Sequence, residues 1–89
     1  MRTLRDLELV NSKEIFSNVI VESHRQVRKW GVQNVTPAEW MLYLTEEVGE
    51  LAEAIAEREY RTGTSGAVYK EAIQVATLAL KLAEMYGYD

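Results

Sequence analysis

The sequence predicts an all-α fold, a small antiparallel bundle of about three main helices whose core is completed by oligomerisation. Three observations carry this. Apolar residues recur at spacings of three and four in three long stretches, the period of an amphipathic helix. Glycine-containing breaks at Gly31–Val35 and Gly63–Gly66 separate those stretches. The one proline, Pro37, stands where a helix begins and not inside one.

Size and charge narrow the reading. The chain has 89 residues, which makes one small domain over residues 1–89. Such a domain buries only a modest fraction of its surface when it folds alone. No cysteine is present, so neither a disulfide nor a zinc–thiolate site adds stability, and a single histidine argues against a histidine-rich metal site. Association into a homodimer or homotetramer is the expected remedy. The net charge of −4 argues against nucleic acid or an anionic membrane surface as partner. The opening MRTLRDLELV has too short an apolar run for a signal peptide. The most apolar stretch, Ala72–Ala83, is interrupted by Gln74, Thr77 and Lys81 and is too short to span a bilayer. A soluble, cytoplasmic protein is expected.

Residues 1–10 read as an N-terminal arm whose Leu4, Leu7 and Leu9 can pack back on the domain or against a partner. The first helix is expected over residues 12–30. Asn11 and Glu14 form a candidate capping box, Ile15, Phe16, Val19, Ile20, Val27 and Trp30 keep the period, and Gly31 ends it. Its second half carries His24, Arg25, Arg28 and Lys29, the only basic cluster. These cations can meet phosphate oxygens, or can simply complement the helix dipole. In the loop that follows, Gln33 and Asn34 can contact a base edge.

The second helix occupies the stretch from Thr36 to Arg61. Thr36 can cap it, Pro37 fits the first position and Glu39 completes a capping box. Met41, Leu44, Val48, Leu51 and Ile55 line one stripe. Trp40 and Tyr43 serve the core or an interface, or stack on a planar ligand. Glu47 lies on the flank of the stripe and Glu50 further round the same side, whereas Glu46, Glu53 and Glu57 point away. Two acids so placed repel unless something positive sits between them, and a divalent cation that prefers oxygen is the natural candidate. The alternative is a solvated acidic face. Gly49 is less favourable than alanine by about 1 kcal/mol in a helix, which close approach of another helix or a ligand would explain.

Gly63 marks the expected end of this helix. The string Gly63, Thr64, Ser65, Gly66 lacks a phosphate-loop pattern and has no strand before it, so Thr64 or Ser65 is read as the cap of a third helix over residues 66–86. Ala72, Ala76, Ala79 and Ala83 form a small-residue stripe beside Val75, Leu78 and Leu82. The polar side is Lys70, Gln74, Thr77, Lys81 and Glu84. So wide an apolar face belongs at the centre of a bundle or in a subunit interface. Glu71 falls in line with the apolar strip and needs a partner, for which Arg25, Arg28 or a metal ion could serve. Glutamates on two antiparallel helices can converge on a metal.

These acids also carry a resemblance. The chain resembles the all-α nucleoside triphosphate pyrophosphohydrolase superfamily, specifically its short MazG-like members. That family's motif is EExxE on one helix and ExxD on the next. Glu46, Glu47 and Glu50 match the first part and Glu71 the glutamate of the second, while Gln74 stands at the aspartate position. HRQVRKWGVQN, from His24 to Asn34, and KEAIQVATLAL, from Lys70 to Leu80, are similar to the matching stretches of phage-type and small bacterial relatives. The resemblance covers roughly residues 15–83. It implies cleavage of a nucleoside triphosphate between the α and β phosphates, giving the monophosphate and pyrophosphate. It implies magnesium, or manganese, held by Glu47, Glu50 and Glu71, with Gln74 at the fourth position. Glu46 would be a further ligand or, with Glu47, serve the attacking water. Arg25, Arg28 and Lys29 would stabilise phosphate charge, with Gln33 and Asn34 the other candidates for substrate contact. The family's dimers or tetramers place the nucleotide site near the subunit contact. Two departures stand out: a neutral Gln74, which by helical angle lies towards the polar side, and no long lid between the acidic helices. The competing readings are a nucleotide-binding or regulatory module without turnover, and a purely structural helical oligomer.

Overall fold

The computed structural model describes residue 9, residues 11–31 and residues 35–87. Among them are three α-helices and no strand: α1 (Ser12–Trp30), α2 (Pro37–Tyr60) and α3 (Ser65–Tyr86). This is the all-α bundle expected from the periodicity. None of these helices is long and apolar enough to cross a membrane. Gln33, Asn34 and the N-terminal arm lie outside the described residues except for Leu9. That leucine is 73% exposed and does not pack back on the domain.

Local chemistry sets the helix ends. Glu39 N donates to Thr36 Oγ1 at 3.2 Å and Thr36 N donates to Glu39 Oε1 at 3.4 Å, so the capping box on α2 forms. Ala67 N donates to Thr64 Oγ1 at 3.1 Å, which starts α3 one residue earlier than expected. The capping box expected at Asn11 and Glu14 does not form. Asn11 sits at φ −106° and ψ 34°, not in the extended conformation of a capping residue, and its side chain caps nothing. Gly31 ends α1 at φ 72°, a backbone region open to glycine, with its N–H on Val27 O at 2.8 Å. After α2, the N–H groups of Arg61 and Gly63 both reach Glu57 O at 3.0 Å. This folds the chain so tightly that a Cβ on Gly63 would stand 2.8 Å from Arg58 N and from Glu57 C.

Helix α3 is the element on which the other two rest. It packs against both, while α1 and α2 have no Cα atoms within 8 Å of each other among the described residues. Asn18 Nδ2 donates to Tyr69 Oη at 2.7 Å and Lys81 Nζ donates to Gln26 Oε1 at 2.8 Å, so α1 and α3 run parallel. Arg58 Nε to Ser65 Oγ, 3.0 Å, and Trp40 Nε1 to Leu78 O, 3.1 Å, make α2 and α3 an antiparallel hairpin. The buried apolar side chains are Val19, Trp40, Ile73 and Leu78. The bond to Leu78 lets Trp40 go inside without an orphaned donor.

The double covering of α3 corrects several expectations. Thr77, placed on the polar side by its spacing, is 1% exposed. Its hydroxyl donates to Ile73 O at 2.7 Å, which makes burial tolerable. Gln74 and Lys81 are half-buried, whereas Ala79, Leu80 and Ala83 are exposed. On α1 the face against α3 includes Val19, Glu22 and Gln26, and the apolar Phe16, Ile20, Val27 and Trp30 are exposed. On α2, Met41, Val48 and Ile55 of the expected stripe are exposed too. With α1 and α2 apart, neither can cover the other's apolar residues. No atom beyond its chain neighbours and its own helix backbone comes within 4 Å of a Cβ built on Gly49, so a second helix of this chain is not the reason for that glycine.

Gly63→Ala is expected to destabilise the fold by about 1–3 kcal/mol, because backbone must move to admit the methyl group. A denaturant midpoint equal to that of the parent protein would show that the turn has room.

Candidate metal centre

The hairpin of α2 and α3 brings the acids together. Glu47 and Glu50 stand one turn apart on α2, and Glu71 and Gln74 one turn apart on α3. Because the helices run antiparallel in contact, the two pairs face each other. One carboxylate oxygen from each of Glu47, Glu50 and Glu71 lies within 4.8 Å of the others. Gln74 completes the group. With its Nε2 turned to the acids it donates to Glu47 Oε2 at 2.9 Å and to Glu71 Oε2 at 2.9 Å. Its hydrogen bonds are what orient this amide. The expectation that Gln74 lies away from Glu71 is therefore corrected: α2 covers that side of α3.

Crowding shows in the electrostatics. Burial, then the charge of Glu50 and a hydrogen bond with it, and then the charges of Glu71 and Glu22, push Glu47 up to about 7. Glu71 is also raised, by burial first and then by Glu50. The donor set is oxygen alone, with no imidazole or thiolate, and it opens to solvent at Glu50. That chemistry fits a hard divalent cation such as Mg2+ or Mn2+. Turned over, the Gln74 amide would present a carbonyl oxygen where it now presents a donor.

A cavity of about 380 Å³ opens beside Glu47, lined by Trp30, Trp40, Tyr43, Glu46 and Leu78. Trp40 and Tyr43 meet edge to face with ring centres 6.2 Å apart. Glu46 is thus outside the trio of acids but on the wall of the adjoining cavity. The basic cluster divides. Lys29 Nζ sits 5.4 Å from the centre of the Trp30 ring. Arg28 is exposed and forms no ion pair with a described acid. Arg25 is close enough to Glu47 for their charges to interact, but its guanidinium is bonded to Glu22.

Glu22, Gln26 and Lys81 are polar residues that periodicity did not single out. Burial alone would raise the Glu22 carboxyl, yet hydrogen bonds from Arg25 and Gln26 outweigh it and hold the group below its ordinary value. The signal was weak: Glu22 falls three residues after Val19, but the next residue on that buried line is the polar Gln26. Glu71 differs in sharing its line with the apolar Val75, Leu78 and Leu82.

The raised Glu47 makes stability depend on pH. Between pH 4.5 and about 7 the folded chain holds a proton that the unfolded chain has released. Its stabilisation is therefore full below the unfolded value and is lost as pH rises through 7. Glu22, held low in the folded chain, is ionised in both states above about pH 5.5. Without divalent cations, raising pH from 5.5 to 8 is expected to lower stability by on the order of 1 kcal/mol after allowance for solvent screening. Glu47→Gln should flatten the profile. Equal slopes in parent and variant melting curves would contradict the crowding.

Comparison of the chain with protein-family models, with curated proteins and with solved structures found no match in any of the three.

Proposed function

We propose that the protein is a magnesium-dependent pyrophosphohydrolase that cleaves a nucleoside triphosphate to the monophosphate and pyrophosphate. The observation that carries this is the meeting of Glu47 and Glu50 with Glu71 and Gln74 beside an aromatic-lined cavity. Glu47, Glu50 and Glu71 would hold Mg2+ or Mn2+, with the Gln74 carbonyl as a neutral fourth donor. When bound, such an ion neutralises phosphate charge and makes a water more acidic. The protein's own part is positioning. The cavity volume suits a nucleobase, which Trp30, Trp40 and Tyr43 can hold by stacking. Glu46, on the cavity wall, would orient a water or take its proton. Arg25 brings positive charge to the edge of the acids. A triphosphate would also supply the charge that Gln74 does not.

One observation favours a second reading, a nucleotide-binding module without turnover. Gln74 is neutral where the resemblance has an aspartate, and it is engaged with two of the acids. The exposed rows Phe16, Ile20, Val27 and Met41, Val48, Ile55 support a homodimer or homotetramer, since so much apolar surface on a small chain invites a second copy.

Four measurements test these readings. A panel of nucleoside triphosphates with Mg2+ is expected to yield pyrophosphate from at least one; binding without release would leave the module reading. Glu50→Gln keeps size and removes charge, and is expected to weaken Mn2+ binding by at least about tenfold, whereas Gln74→Asp should tighten it. Gln74→Asp should also lower stability without metal by about 1–3 kcal/mol, because it removes two donated bonds and adds a repelling charge. Unchanged metal affinity in both variants would dismiss the site. Sedimentation at micromolar concentration is expected to show a dimer or larger species, and a stable folded monomer would reject the assembly.

A further inference from the structure

Glu22 is 8% exposed and both its oxygens are engaged. Arg25 Nε donates to Oε1 and Arg25 Nη2 to Oε2, each at 2.7 Å. Gln26 Nε2 donates to Oε2 at 2.9 Å, and Lys81 Nζ on α3 donates to Gln26 Oε1 at 2.8 Å. The four side chains form one series of bonds running from α3 through the buried face of α1 to Arg25. With three bonds accepted, Glu22 is committed to this network and is not a fourth acid of the cluster. A carboxylate gripping a guanidinium at two points is the most directional of ion pairs.

A long cation beside three crowded carboxylates has an obvious competing place to go, which is among them. There it would neutralise the acids and oppose a metal ion. Arg25 is close enough to Glu47 for their charges to act on each other, while its hydrogen bonds go to Glu22. We infer that Glu22 is a positioning residue for the metal centre: its two-point grip keeps Arg25 at the edge of the Glu47–Glu50–Glu71 cluster and out of it. This role rests on the metal-binding reading above. The Glu22 charge also bears directly on Glu47 and Glu71, so the signature of positioning is a loss on removing Glu22 that is larger with Arg25 present than without it.

Mn2+ affinity of the full chain, measured by titration calorimetry, tests it in four proteins: the parent, Arg25→Gln, Glu22→Gln and the double variant. Arg25→Gln should stay within about twofold of the parent, because a restrained surface charge has little effect. Glu22→Gln should lose about threefold to tenfold, and the same change made in Arg25→Gln should lose at most about twofold, a coupling expected only of residues that act together. Additive changes would overturn the role of Glu22 while leaving the metal centre. Absence of Mn2+ binding by the parent would overturn the metal centre and this role with it. Should circular dichroism show Glu22→Gln to be unfolded, Arg25→Lys takes its place. It keeps the charge, leaves Glu22 untouched and removes the fork. It should lose at least about threefold in affinity, since a one-point ammonium is free to reach the acids, and parity with the parent would reject the inference.

Discussion

The structure depends on one helix being covered from two sides. Helix α3 supplies Ile73, Thr77 and Leu78 to the interior, and neither α1 nor α2 has a substitute for it, because no Cα of one comes within 8 Å of the other among the described residues. Burying a helix this way leaves few directions for its polar groups. Thr77 turns its hydroxyl to its own backbone, Lys81 reaches across to α1, and Gln74 reaches across to α2. The polar residues of α3 are thus its ties to its neighbours, which a reading by apolar pattern alone inverts.

The acidic cluster is a by-product of the same packing that holds the hairpin together. Trp40 anchors one end of the α2–α3 contact by its bond to Leu78, and the tight turn around Gly63 fixes the other. Between those two fixed points Glu47 and Glu71 have nowhere else to be. Hydrogen bonds from one neutral amide, each of modest net value, oppose the repulsion but do not remove it, as the raised Glu47 shows. A fold that keeps such a group between two of its helices gives up stability to do so.

Much of this was legible from residues alone. The helix starts at Thr36 and Thr64 and the stop at Gly31 follow from local chemistry that needs no tertiary context. The approach of Glu71 to Glu47 and Glu50 was readable because an acid on an apolar strip demands a partner. What could not be read was which side of α3 meets which neighbour. That depends on where α1 docks, and α1 docks through a half-polar face whose partner Lys81 lies 55 residues from Gln26. The Asn11 cap failed for a smaller reason: residue type favours a cap, but backbone angles decide whether the side chain can make it.

The uneven attachment of α1 divides the molecule energetically. The hairpin shares a long apolar contact, whereas α1 is held by Val19, the bond between Asn18 and Tyr69, and a polar network. Cooperative units open in order of such differences, so α1 is expected to be the least protected helix, its amides exchanging with solvent before those of α2 and α3. Opening it would carry away Trp30 and Arg25 while leaving Glu47, Glu50 and Glu71 facing one another. The Trp30 side of the cavity and the acids therefore belong to different layers of stability, and that side can come and go on a faster clock than the cluster beside it.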